Sequence, residues 1–100
     1  MIKHIVFWRL NNREDHKGRE ENARAIKERI DAMRGKIPGL LHIEGGVDFN
    51  RSEAACDVVL YSEFESRAAL EGYQDHPAHR EFVKFMGDRR TERRIADYEV

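Results

Sequence analysis

The sequence predicts an α+β fold in which helices cover one face of an antiparallel four-stranded sheet, and three observations carry that reading. Some segments alternate with the two-residue period of a strand, while others repeat at the three-to-four spacing of a helix. The resulting order is strand, helix, strand, strand, broken helix, strand. The strands also carry large apolar side chains on both faces, more than helices on one side can cover.

Residues 2–10 (I-K-H-I-V-F-W-R-L) are rich in β-branched and aromatic side chains and fit a strand. Ile2, His4, Val6, Trp8 and Leu10 fall on one face, Lys3, Ile5, Phe7 and Arg9 on the other. The polar stretch 11–17 makes a loop. From about 18 to 35, Ala23, Ile26, Ile30 and Met33 recur at spacings of 3, 4 and 3, one apolar stripe on a helix otherwise covered with charge. Gly35 supplies a left-handed stop, and Pro38-Gly39 prevents resumption. Residues 40–49 (L-L-H-I-E-G-G-V-D-F) form a second strand, whose Gly45-Gly46 pair predicts a bulge, a bend or a close backbone approach.

A polar turn over 50–55 leads to a third strand over 56–65, with Val58, Leu60 and Phe64 on one face and Val59 and Tyr61 on the other. The short link predicts a hairpin. Ser66 suits the N-cap of a helix running to about Gln74. His76-Pro77 breaks that helix, because a residue before proline avoids helical geometry, and Pro77 suits the first position of a new one. His79, Phe82, Val83 and Met86, at spacings of 3, 1 and 3, form its apolar stripe. Arg89 to Arg94, with Asp88 and Glu92 interleaved, reads as a solvated helix end whose cations favour the negative end of the dipole, with a small anion site as the alternative and no nucleic-acid patch. Arg94 to Val100 forms the last strand.

This order is the split βαβ, or ferredoxin-like, arrangement βαββαβ, with both helices on one side by the handedness of the crossovers. Ile5, Phe7, Val59 and Tyr61 then lie on the uncovered face. Such a patch in water is unusual for a monomer, so a homodimer joined sheet to sheet is expected.

One hundred residues make a single domain, 1–100. With 18 basic and 19 acidic residues the chain lacks the basic excess that nucleic acid or an anionic membrane would require. Charged residues at 37% and apolar ones at 40% argue against disorder. A lone cysteine, Cys56, makes no disulfide within the chain. The apolar run Ile5 to Trp8 is far shorter than a signal-peptide core or the roughly 20 residues of a membrane span, so a cytoplasmic protein is the expectation. Dinucleotide, P-loop, nucleophile-elbow and C-x-x-C motifs are missing, and no cofactor is expected.

The side chains that could carry chemistry are mostly histidines: His4, His16, His42, His76 and His79. His16 lies in a charged loop and reads as solvated surface, and His42 has no obvious partner chemistry on the second strand. His76 and His79 straddle the helix break. In structural terms His76 caps the new helix and His79 is a buried histidine satisfied by a backbone carbonyl. As a metal site the pair lacks a third ligand nearby, and zinc needs at least three protein ligands, so no metal is expected. In functional terms His4 faces the helix-covered side and His79 points inward from its stripe. Tyr73, three residues after Leu70, adds a phenol. Histidine takes and returns a proton near neutral pH, and a phenol donates to a developing enolate. His79, Tyr73 and His4 are thus the candidate catalytic residues, with His76, Trp8, Val58 and Phe82 as candidate substrate contacts. A half-buried Tyr73 with its hydroxyl in water is the competing reading.

The segments I-K-H-I-V-F, E-N-A, K-I-P-G-L, S-E-F-E-S and H-P-A-H occur in order along the whole chain. In this the chain resembles the stress-responsive A/B barrel (Dabb) family. The resemblance implies a dimeric α+β barrel, two ferredoxin-like subunits joined through their sheets. A plant polyketide cyclase of that family works without cofactor, and its catalytic histidine and tyrosine match His79 and Tyr73, its first-strand histidine His4. His76 is the other histidine of H-P-A-H. That cyclase has a histidine on its third strand where this chain has Val58, so the same substrate pose is not implied. Three readings follow. The dimer binds a small apolar or aromatic metabolite, or is a cofactor-independent cyclase or isomerase with His79 as base and Tyr73 as oxyanion donor, or is purely structural. Cofactor-free monooxygenation is a further enzyme option by fold analogy.

Overall fold

The computed structural model describes residues 1–11 and 15–100, the side chain of His16 excepted. The reading of His16 as surface therefore lies outside the described residues, as do residues 12–14 of the expected loop, and the helix that follows starts at His16 rather than at about 18. Strand β1 is Ile2–Leu10, helix α1 His16–Asp31, β2 Leu40–Val47, β3 Val58–Phe64, α2 Arg67–Asp75, α3 Pro77–Met86 and β4 Arg90–Glu99. The strands pair antiparallel in the order β2-β3-β1-β4. This is the ferredoxin-like α+β fold, with its second helix broken into α2 and α3.

The strand β1 lies at the centre of the sheet and its burial alternates as the sequence predicts. Ile2, His4, Val6, Trp8 and Leu10 are buried beneath the helices, whereas Phe7 on the opposite face is 39% exposed. The β3 partners of the buried row, Val58, Leu60, Ser62 and Phe64, are buried too. Helix α1 starts at an N-cap Asp15 whose carboxylate accepts from the Gly18 N–H. Its stripe of Ala23, Ile26, Ile30 and Met33 is buried against the sheet. The helix ends at Asp31, short of the expected 35, and the chain turns back through Gly35 and Gly39 at φ of 77° and 78°.

Close approach is the role of the glycine pair, and only of its first member. A Cβ on Gly45 would sit 3.0 Å from the Lys27 Cα and 3.2 Å from the Ile30 Cβ, whereas one on Gly46, on the other face, would meet nothing within 4 Å. The Gly45 N–H donates to the Asp31 carboxylate at 2.8 Å, which ties α1 to β2. The irregularity in β2 pairing falls earlier, at Leu41.

Ser66 caps α2 by accepting from the Ala69 N–H at 3.1 Å. His76 is extended, with ψ of 139°, and serves as the C-cap of α2 and the N-cap of α3, its Nδ1 accepting from the Ala78 N–H at 3.0 Å. Gly87, at φ +45°, stops α3 after Met86. The strand that follows starts at Arg90, not Arg94, so the expectation of a solvated helix end over 89–94 is corrected: most of that run is strand. Pairing with β1 decides it. Leu10 lies opposite Arg90, and Arg9 lies opposite Glu92 with a 3.1 Å ion pair. An edge strand tolerates this much charge. Among the described residues no helix is long and apolar enough to cross a membrane.

The helix-to-sheet contact at Gly45 is testable against an open helical glycine. Gly72 in α2 has nothing within 4 Å of a would-be Cβ, so Gly72→Ala should raise stability by about 0.5–1 kcal/mol through helix propensity. Gly45→Ala should lower it by about 1–3 kcal/mol through overpacking against Lys27 and Ile30. Thermal or urea unfolding of the two variants reads both signs.

Candidate functional site

Between the covered face of the sheet and α2–α3 lies a cavity of about 320 Å³, lined among others by His4, Trp8, Tyr73, His79, Phe82 and Arg93. Its floor comes from the buried row of β1. One wall comes from Tyr73 in the last turn of α2, another from the inward face of α3. Trp8 and Phe82 meet edge to face at a ring separation of 5.8 Å, giving the cavity an aromatic side.

The polar groups form a chain of rings. His4 lies 5.9 Å from Tyr73, and Tyr73 4.4 Å from His79, centroid to centroid. Phe64, 5.0 Å from Tyr73, backs the phenol with apolar surface. His4 is buried, and its Nδ1 lies 2.5 Å from the carboxylate of Asp97, the residue opposite it on β4. A carboxylate there fixes the ring and leaves Nε2 as the second functional nitrogen. His79 is half-buried, and its Nδ1–H donates to the Gln74 carbonyl at 3.2 Å, so Nε2 carries the lone pair. Burial lowers the pKa of His79 against the raising effect of the Gln74 carbonyl, and the nearby positive charge of Arg93 adds to the lowering. His79 is therefore neutral at pH 7 and able to accept a proton.

Tyr73 is 1% exposed, and among the described residues none hydrogen-bonds its hydroxyl. Burial pushes the phenol well above its ordinary range, with Arg93 opposing. It remains a protonated donor at any moderate pH. A donor phenol and an acceptor imidazole facing one cavity can together hydrogen-bond an oxygen that gains negative charge and take a proton from the adjacent atom.

Of the residues singled out from sequence, the fold brings His4, Trp8, Tyr73, His79 and Phe82 to this cavity. Two others are not among its lining. Val58, opposite Trp8 in the sheet, is fully buried in the core. His76 uses its Nδ1 on the α3 cap. Sequence reasoning missed Asp97 and did not connect Arg90 and Arg93 with this cavity, because all three reach this face only through the register of β4 on β1. The half-buried alternative for Tyr73 is replaced by near-complete burial.

The other reactive candidate is remote. Cys56 lines a hollow of about 500 Å³ on the opposite face of the sheet, and burial, with Asp48 beside it, pushes its thiol up to about 11. A protonated thiol is a poor nucleophile. Among the described residues no three His, Cys, Asp or Glu side chains converge to hold a metal ion.

Fold and cavity together define a small ferredoxin-like α+β domain with acid–base groups gathered between its helices and sheet. Residues 2–100 match the Stress responsive A/B Barrel Domain, and the chain belongs to that family. It is 34% identical, over 99% of each chain, to an uncharacterized protein of Streptomyces coelicolor. Among solved structures it is similar to a dimeric protein of unknown function and ferredoxin-like fold from Bacteroides fragilis, at 30% identity and a TM-score of 0.87, over 99% of this chain and 95% of that one. It shares its fold with the hydroxynitrile lyase of Passiflora edulis, at 19% identity and a TM-score of 0.73, over 99% and 92% of the two chains.

The burial of His79 carries a pH signature. Its folded pKa lies below the unfolded value of about 6.5, so below that pH the unfolded chain binds more protons than the folded one. Stability should fall as pH drops through and below about 6.5, and His79→Gln should flatten that slope. Melting temperatures between pH 7.5 and 5 for the two proteins measure the difference.

Proposed function

We propose that this chain acts as a homodimer whose protomers each take a small apolar or aromatic molecule into the cavity between α2, α3 and the sheet. One observation carries this: the buried Tyr73 hydroxyl, without a partner among the described residues, lines a cavity with an aromatic side. A buried hydroxyl left unpaired costs about 1–3 kcal/mol, and an acceptor oxygen on a bound molecule removes that penalty. The volume of about 320 Å³ suits a compact ring system.

The second copy covers the other face. Ile5, Phe7, Val59 and Tyr61 form adjacent cross-strand pairs there, with Ala96 beside Ile5 and charged residues such as Lys3, Glu63 and Arg94 around them. An apolar centre with a polar rim is the pattern of a protein interface. The Bacteroides fragilis relative is described as dimeric, which supports the same association here.

A second reading, cofactor-free proton transfer with His79 as base and Tyr73 as oxyanion donor, is favoured by the 4.4 Å ring separation of a neutral imidazole and a protonated phenol. His4, held by Asp97, would orient the molecule. A lyase on this fold, from Passiflora edulis, gives the reading a precedent in architecture.

Calorimetric titration with 2-naphthol tests the cavity, and Trp8, the sole tryptophan, reports from its wall. Binding should change Trp8 emission, and Tyr73→Phe should weaken it by about fivefold to tenfold, the loss of one hydrogen bond. Absence of both heat and emission change sinks the cavity reading. Under the enzymatic reading His79→Ala abolishes turnover of a substrate while its affinity and the melting temperature barely move. For the dimer, Phe7→Glu and Tyr61→Glu should each give monomer or aggregate by light scattering, and an unaltered dimer mass in both would remove the sheet face as the interface.

A further inference from the structure

The pairing of β4 with β1 slips by one residue beside the cavity. Arg9 lies opposite Glu92 and Leu10 opposite Arg90, so Thr91 is the extra residue of a bulge. In a regular strand, residues three apart point to opposite faces. The bulge instead sends both Arg90 and Arg93 to the helix side, where both line the cavity.

Neighbouring cations are engaged. Arg9 and Arg94 pair with Glu92, Arg67 with Glu99, and Arg89 lies 4.2 Å over the Phe85 ring. Arg90 and Arg93 have no carboxylate partner among the described residues. Nor does the cavity lining include an aspartate or glutamate, since Asp97 lies behind His4 and outside it. Two guanidinium groups and the unpartnered Tyr73 hydroxyl therefore converge on a space lined also by the His4 and His79 rings and by apolar side chains such as Trp8 and Phe82, and all three are donors.

We infer that the molecule taken up in the cavity carries a carboxylate, bound by Arg90 and Arg93, while its apolar body lies against Trp8 and Phe82. This rests on the cavity-binding reading above. Guanidinium groups match a planar carboxylate with paired hydrogen bonds. A phosphate fits less well. The cavity has no glycine-rich cradle of backbone N–H groups, and its one glycine, Gly87, stands at the C-terminal, negative end of α3.

Calorimetry with two probes of equal shape, 2-naphthoate and 2-naphthamide, tests this at low ionic strength. The carboxylate should bind about tenfold or more tightly than the amide, and salt should erode that preference. Arg90→Gln combined with Arg93→Gln should abolish the preference by weakening naphthoate more than naphthamide, while the melting temperature barely moves because both side chains are exposed. Equal affinities of the two probes for the unaltered protein overturn the inference while leaving the cavity reading intact. Failure of both probes overturns the cavity reading and this inference with it. Inorganic phosphate that displaces naphthoate at equal concentration would make the arginines a phosphate site and overturn the carboxylate assignment.

Discussion

The whole molecule hangs on the two-residue alternation of β1. A strand at the centre of a sheet sends successive side chains to opposite faces, and here both sets carry large apolar groups. The even set, from Ile2 to Leu10, is buried under three helices and supplies core, cavity floor and His4 at once. The odd set, centred on Ile5 and Phe7, stays on the other side of the same backbone. A one-residue slip in β1 would exchange the two, exposing Trp8 and burying Lys3 and Arg9. Register on β1 is thus both a folding constraint and the condition for a site.

The helix break serves the site directly. Tyr73 and His79 are six residues apart, and on one continuous helix they would be separated by about 120° around the axis, facing different surroundings. Interrupting the helix at His76-Pro77 re-aims the second segment so that the two rings approach to 4.4 Å. Pro77 needs no N–H at the first helical position, and His76 satisfies the orphan Ala78 N–H. The H-x-x-H pair therefore divides its labour. One histidine makes the joint, and the other is carried by it into the cavity.

How much of this was legible in the sequence follows from the range of each interaction. The α1 stripe, the Ser66 cap, the break at Pro77 and the two faces of β1 depend on residues within a turn of one another, and they could be read directly. His4, Tyr73 and His79 could be grouped because each lay on an apolar face that had to turn inward. The start of β4 could not be read, since a run as charged as Arg89–Arg94 has no apolar alternation and becomes strand only by pairing with β1. Asp97 and the link of Arg90 and Arg93 to the cavity were out of reach for the same reason: the facing of Asp97 follows from pairing with β1, and that of the two arginines also from a bulge that no local pattern marks. Val58 and His76 differ as proposed substrate contacts. The core claims Val58, and for His76 the structure has the other sequence reading, the cap of the new helix.

The electrostatics of the cavity follow from the same geometry. Burial holds Tyr73 protonated and His79 neutral, so neither carries charge of its own at neutral pH. Arg93 reinforces the neutrality of His79, because a cation nearby disfavours a second one. The result is an uncharged donor and an uncharged acceptor beneath a cationic rim. Such a space is poorly suited to a cation and well suited to negative charge located on, or developing within, a bound molecule. That asymmetry requires both the break that joins α2 to α3 and the bulge that turns β4, two departures from regular structure placed on either side of one cavity.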